Sequence, residues 1–597
     1  MIRFGLVFSI ALAACAAQTP PKASPPAAPP DPAVEAQTLN ALVDEYFEQG
    51  LALNPIQATF LGDRRYMHSL PNFLSPASIE AQRVIERYWL SRVEREVDRQ
   101  VLTGQDALTY DVFVSQRQAS ISGERFPGEL MPLTQFFSVP SLLGQLGSGQ
   151  SAQPFKTAED FAMWWTRARA VPPLFDQMIL NMRAGVERGV TQPKVLMEKV
   201  LPQLASLADP NLNESLWMSP LSSAPKELSD QVTAEHTDVV RNVLLPSYQR
   251  LHDFVKDEYI PAARETHGYW DLPNGADWYA FRVKQNTTTD LTPDEIHAIG
   301  LQEVERIHNE MRAVMKQVGF EGSLQEFFDF CKTNPEFYAK SEEELLAGFR
   351  ALQTELNEKI PQLFDIFPRA DYEIRPVEAF RAESSAGASY QAPSPDGSRP
   401  GIFYVNTFNL KAQPLYGMET LAIHEASPGH HFQITIAQEL ESLPRFRRFG
   451  GYTAYVEGWA LYAESIGKEM GMFTDPMSWY GRLSDELFRA MRLVVDTGLH
   501  HKKWSREKTI EYMLSNCSMS DTDIVAEVER YMAIPGQALA YKTGQLAIRR
   551  MREKAEQVQG DAFDIKAFHR QVLIDGALPL DVLEAKMDRW LASTPPG

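Results

Sequence analysis

Three of the chain's twelve histidines, His424, His430 and His431, stand within eight residues, and Glu425 follows the first of them. The segment reads Leu421-Ala-Ile-His-Glu-Ala-Ser-Pro-Gly-His-His-Phe-Gln433. Its apolar lead-in places the group inside a fold. Two imidazoles can hold a metal ion while a neighbouring carboxylate takes a proton from water. A His-Glu pair followed by a second His on one helix is the sequence form of such a zinc site.

The spacing is wider than the usual HExxH. Ligands at i and i+4 share a helix face, whereas His424 and His430 stand at i and i+6, on different faces of a regular helix. Pro428 and Gly429 lie between them. Pro428 cannot donate the helical bond to the His424 carbonyl and its ring crowds that carbonyl. A local bulge at Pro-Gly is therefore expected to absorb two residues and return His430 to the side of His424. His431, at i+7, is the alternative ligand. It shares the face but lies about 10 Å along the axis.

A catalytic zinc takes three protein ligands and leaves one position for water. The next helical pattern, Tyr455-Val-Glu-Gly-Trp-Ala-Leu-Tyr-Ala-Glu464, offers Glu457 and, two turns on, Glu464. Two acids on one face of an apolar, aromatic helix are costly to bury without a cation. Glu457 is expected as the third ligand. Glu464 is expected behind it, orienting a ligand imidazole. His297 and His308 share a helix face but stand too far apart to bind one ion.

The elements that must carry these residues are mostly helical. From residue 36 to about 265 apolar residues recur near the 3.6 period, as in Leu39, Leu42, Val43, Phe47 and Leu51. Thr292-Pro-Asp-Glu295 reads as a capping box opening a helix to about Val318. The segments 372–378 and 401–406 read as short strands with a Ser384–Pro400 loop between them. A small sheet beside a metal helix could pair its edge with an extended peptide. The expected fold class is mainly α, with a small β-sheet next to the metal-binding helix. No internal boundary is visible. Residues 36–597 read as one large domain, with an N-terminal helical part over 36–290 and a metal-site part over 291–597.

The 597 residues are enough for a large core, and their net charge of −20 argues against nucleic acid or an anionic membrane surface as partner. The first fifteen residues form an export signal. Arg3 is followed by a short apolar run ending in Leu12-Ala-Ala-Cys15, the form of a bacterial lipobox, with Cys15 as the lipidation site. Residues 16–35, rich in Ala and Pro, read as a tether. An exported protein attached to a bacterial membrane only through its lipid is expected, with the periplasmic face of the outer membrane as destination. Cys331 and Cys517 are the cysteines left after the signal, and the sequence leaves open whether they pair.

Together, the signal, HEASPGHHFQ, YVEGWALYAE, RLVVDTGLHHKKWS (492–505) and PGQALAYKTG (535–544) resemble the bacterial family catalogued as domain of unknown function 885, over essentially the whole mature chain. More distantly, the two glutamates seven apart after a His-Glu motif are similar to the carboxypeptidase Taq and thimet oligopeptidase families. Those are helical zinc peptidases with a deep cleft. Their HExGH motif matches Gly429-His430 and favours His430 over His431. Dipeptidyl peptidase III has one residue inserted in its motif, where this chain inserts two. The resemblance implies a late His and Tyr that steady an oxyanion, and His500 and Tyr541 are the candidates. Arg492, eight residues before His500, suits either a substrate carboxylate or an internal ion pair. The reading is a zinc metallopeptidase acting on short peptides, with Glu425 as general base. A zinc amidase or esterase on another substrate and a lipoprotein that has lost its metal are the alternatives. Nothing in the sequence sets the oligomeric state or the end of the peptide that is cleaved.

Overall fold

Leu39, Leu42, Val43, Phe47 and Leu51 line the buried face of a helix over Pro32–Leu53, which Asp31 caps and Pro32 opens. The computed structural model describes residues 30–593, apart from 137, 378–381, 383–385, 396 and 398. Residues 32–35, expected at the end of the tether, are thus the first turn of a helix. Cys15 and the rest of the leader lie outside the described residues. The chain is mainly α-helical, as the periodicity implies. Helices over Pro76–Glu96, Ala158–Ala168, Val171–Arg188 and Lys194–Leu207 lie within the stretch whose apolar period is helical.

The apolar faces meet in several cores. Residues between Leu70 and Ala263 form one of them, around Trp164, Trp217 and Tyr248. The first helix joins a different core. Leu39 and Val43 belong with Phe113, Phe446, Tyr455, Trp459 and Leu583, residues far along the chain. The N-terminal helices therefore divide between two cores, and one of those cores holds the candidate site.

Helix α1 (Pro293–Gln317) begins at the expected capping box of Thr292 and Glu295. The sheet has the order β1 (Tyr372–Pro376), β3 (Gly401–Val405), β2 (Ala388–Gln391). Strand β1 runs parallel to β3, pairing Tyr372 with Gly401. Strand β2 runs antiparallel to β3, pairing Ala388 with Val405. β2 falls within the stretch read from sequence as a loop. Its four residues carry too little apolar alternation to signal a strand, and pairing with the buried β3 creates it.

After the sheet come α2 (Met418–Glu425), α3 (His430–Glu439), α4 (Thr453–Ser465), α5 (Pro476–His500), α6 (Asp521–Ala533) and α7 (Ala540–Gln559). Helix α5 is buried along most of its length and packs along α1. Helices α4 and α7 approach closely where Gly458 meets Gly544: a Cβ on Gly458 would lie 2.4 Å from the Gly544 Cα. Cys331 and Cys517 are both buried free thiols. Among the described residues no helix is long and apolar enough to cross a membrane.

Candidate metal centre

The chain between His424 and His430 does not bulge; it breaks. Helix α2 ends at Glu425, the Ser427–Pro428 peptide is cis, and α3 begins at His430. Only glycine fits at 429, because a Cβ there would stand 2.0 Å from the His424 carbonyl oxygen and 2.2 Å from that of Ile423. The chain thus folds back against the end of α2. The Trp459 indole N–H donates to the Pro428 carbonyl at 2.8 Å and ties the break to α4. The outcome is the one the bulge was expected to give. The His424 and His430 rings lie with centroids 4.7 Å apart.

Glu457 on α4 completes the group. Its Oε2 is 3.7 Å from His424 Nε2 and 3.3 Å from His430 Nε2. One ligand atom from each of the three residues lies within 4.8 Å of the others. Glu464, on the same helix, accepts from His424 Nδ1 at 2.6 Å and is fully buried. This carboxylate–histidine pair leaves Nε2 as the nitrogen turned toward Glu457. Glu425, the last residue of α2, is half-buried and accepts no hydrogen bond among the described residues.

Paired carboxylates and imidazoles set the electrostatics of the group. Burial works to lower His424, but the nearby Glu457 carboxylate, the hydrogen bond to Glu464 and the charges of Glu464 and Glu425 raise it to about 10. Burial works to raise the Glu457 carboxyl, and the charge of His430 with that of His424 holds it well below the usual carboxylate range. Glu457 Oε2 is nevertheless buried without a hydrogen-bond partner. An orphaned carboxylate oxygen facing two imidazole nitrogens, with a second carboxylate behind one ring, fits a zinc ion.

His431 is turned away from this group. Its Nδ1 accepts from the Tyr390 hydroxyl of β2 at 2.9 Å, and its ring packs on Tyr372 of β1. Burial pushes it down to about 4, so the ring is neutral. It joins the sheet to α3. His500 is corrected. It is fully buried, the Tyr269 N–H donates to its Nδ1 at 3.1 Å, and its Nε2 donates to the Tyr531 carbonyl at 3.0 Å. With both nitrogens engaged it has none to offer a substrate. Tyr541 and Arg492 lie together, with the Arg492 guanidinium 4.5 Å from the centre of the Tyr541 ring.

Asp485, Arg489, Glu527 and Arg530 stand beside Arg492 and Tyr541 and were not read from the sequence. A signal existed on α5: Asp485, Arg489 and Arg492 follow at i, i+4 and i+7 on an otherwise buried helix. The side chains of Glu457, Asp485 and Glu527 are 18 %, 28 % and 19 % exposed, so water reaches each of them. A separate cavity of about 330 Å³ is lined by Arg306, Tyr462, Trp479 and Arg552 and shares no residue with the metal group.

A family model described as "Bacterial protein of unknown function (DUF885)" matches residues 55–587. The chain belongs to this family. Among solved structures it is similar to a candidate lipoprotein from Colwellia psychrerythraea, at 29 % identity and a TM-score of 0.86, covering 94 % of this chain and 100 % of that one. It also shares its fold with a candidate lipoprotein of unknown function from Shewanella oneidensis, at 18 % identity and a TM-score of 0.71, covering 93 % of this chain and 99 % of that one. No curated protein matches.

Proposed function

We propose that this family member is a zinc-dependent metallopeptidase of short peptides. The observation that carries the reading is the group of His424, His430 and Glu457, with ligand atoms within 4.8 Å of one another and Glu464 behind His424. Zinc bound there supplies Lewis-acid chemistry, acidifying a water and polarising a carbonyl. The chain's own residues do the rest. His424 and His430 present Nε2, and Glu457 presents a carboxylate oxygen. Glu464 fixes the tautomer and angle of His424. Glu425, without a competing hydrogen bond, takes the proton of the attacking water and passes it to the leaving amine. Tyr541 keeps its O–H free to donate to the developing oxyanion, since its oxygen only accepts from Arg530. β2, at the edge of the sheet and tied to His431, is the strand against which an extended peptide can pair.

The reading extends to location. Leu12-Ala-Ala-Cys15 has the lipobox form, and both solved structures are described as candidate lipoproteins. An exported protein held by lipid at Cys15, facing the periplasm, follows.

The test is metal analysis. The purified protein is expected to hold about one zinc per chain. His424→Ala and Glu457→Ala should each lose most of it. Full zinc in both variants would reject the site.

A further inference from the structure

Three arginines surround Tyr541. Arg489 and Arg492 come from α5 and Arg530 from α6. The Arg492 and Arg489 guanidiniums lie 4.5 Å and 5.9 Å from the centre of the Tyr541 ring, and Arg530 Nη2 donates to its hydroxyl at 3.4 Å. Such faces attract cations, but they do not neutralise them. Two carboxylates are present for that. Asp485 accepts from Arg489 at 2.6 Å, and Glu527 accepts from Arg492 at 3.0 Å and from Arg530 at 3.3 Å. Three guanidiniums share only two hydrogen-bonding carboxylates here, inside a chain whose net charge is −20.

The donors tell the same story. Arg489 Nε, Arg492 Nη1 and Arg530 Nε are all buried N–H groups with no hydrogen-bond partner. Arg492 is 3 % exposed and Arg489 8 %. Buried donors of this kind are normally satisfied, and three around one ring call for an acceptor that the chain does not supply. An anion with two oxygens matches the planar fork of a guanidinium. The cluster also adjoins the metal group, since α5, which carries Arg489 and Arg492, packs against both α2 and α4.

We propose that Arg489, Arg492 and Arg530 form a subsite for one carboxylate of the peptide substrate, so that the protein selects short peptides carrying a free carboxylate beside the bond at the metal. The proposal rests on the peptide reading given above. It adds the recognition element that reading lacks. Asp485 and Glu527 hold the arginines in place, and Tyr541 forms the wall between them. Arg530 stands at the outer end, stacked on the half-exposed ring of Phe136.

Binding tests it separately from turnover. Full-length Glu425→Gln protein loaded with zinc is titrated with N-acetyl-tetra-alanine, with its C-terminal amide, and with an amide of the same length carrying glutamate at the third position. The free acid should bind roughly 10- to 100-fold more tightly than the plain amide, the range for a charged hydrogen-bonding group. Recovery of that affinity by the glutamate amide would assign the carboxylate to a side chain, and its absence would assign it to the peptide terminus. Arg492→Gln and Arg530→Gln should each abolish most of the difference. Thermal melting confirms that they fold, and Arg530, only half-buried, covers the case in which Arg492→Gln does not. Equal binding of acid and amide, or a difference that survives in the folded variants, would overturn the subsite. Zinc-dependent hydrolysis of both peptides at equal rates would overturn it while leaving the metallopeptidase reading intact. Carboxylate selection without any turnover by the wild type would do the reverse.

Discussion

In the proposed mechanism Glu425 and His424, neighbours in sequence, have opposite duties, one taking a proton and the other holding a metal. Adjacent helical side chains diverge by about 100°, which sets Glu425 beside the ion rather than on it. Glu425→Gln keeps the shape but cannot accept a proton. It is expected to retain zinc and fold while turnover falls by about 10²–10⁴-fold. Zinc content, melting and turnover on one preparation check this, and lost zinc would make Glu425 a ligand instead. The second residue-scale test is the histidine pair. His430→Ala should lose zinc and His431→Ala should keep it, because His431 Nδ1 is engaged by Tyr390. The opposite pattern would require an i, i+7 site. Residue types and spacing made His424, His430, Glu457 and Glu464 legible, because buried acids and imidazoles on apolar helices have few other uses. Asp485 and Arg489 had a helical spacing with Arg492, but Glu527 and Arg530 were not legible. Their roles depend on how α5 and α6 pack, and no short-range spacing encodes that.

The break between α2 and α3 is the element on which the site depends. The sequence marked it at Pro428 and Gly429, but it could not separate a bulge from a break. That choice is made by the Trp459 contact and by the space left at Gly429. Gly429→Ala would drive a methyl into the His424 and Ile423 carbonyls. It should cost about 2–4 kcal/mol and weaken zinc binding. Gly50→Ala, on an open helix position with nothing within 4 Å, should be neutral or stabilise by up to about 1 kcal/mol. Melting temperatures of the two variants, with zinc titration of the first, check the contrast.

On the far end of α5, Asp496 accepts from the Tyr279 hydroxyl and the Gly536 N–H, which fixes the turn before α7. Burial outweighs these bonds and the charges of Arg282 and Arg492, and raises the carboxyl to about 7. The folded value lies above the unfolded one, so this contribution to stability is full below about pH 4 and is lost as pH rises through about 7. Asp496→Asn should therefore melt at an increasingly higher temperature relative to wild type between pH 5 and pH 8. A difference that does not change with pH would show that Asp496 does not titrate in that window.

Across the whole molecule, the helix at Pro32–Leu53 packs into the core that also carries α4, so the start of the described chain is fastened close to the site. The leader before it is where attachment is proposed. Cys15→Ala should release the protein from membranes, and fractionation after a salt wash would show it. The mainly helical class was legible from periodicity because helices carry their pattern locally. The division of the N-terminal helices between two cores was not, since it arises from contacts hundreds of residues apart. The central claim is hydrolysis of peptides at the centre built by His424, His430 and Glu457. A digest of a mixed short-peptide library by zinc-loaded protein, read by mass spectrometry beside Glu425→Gln, tests it most directly. New peptide fragments from the wild type, at least about 10²-fold fewer from the variant, are the predicted result; a library left intact by folded, zinc-loaded wild type would contradict it.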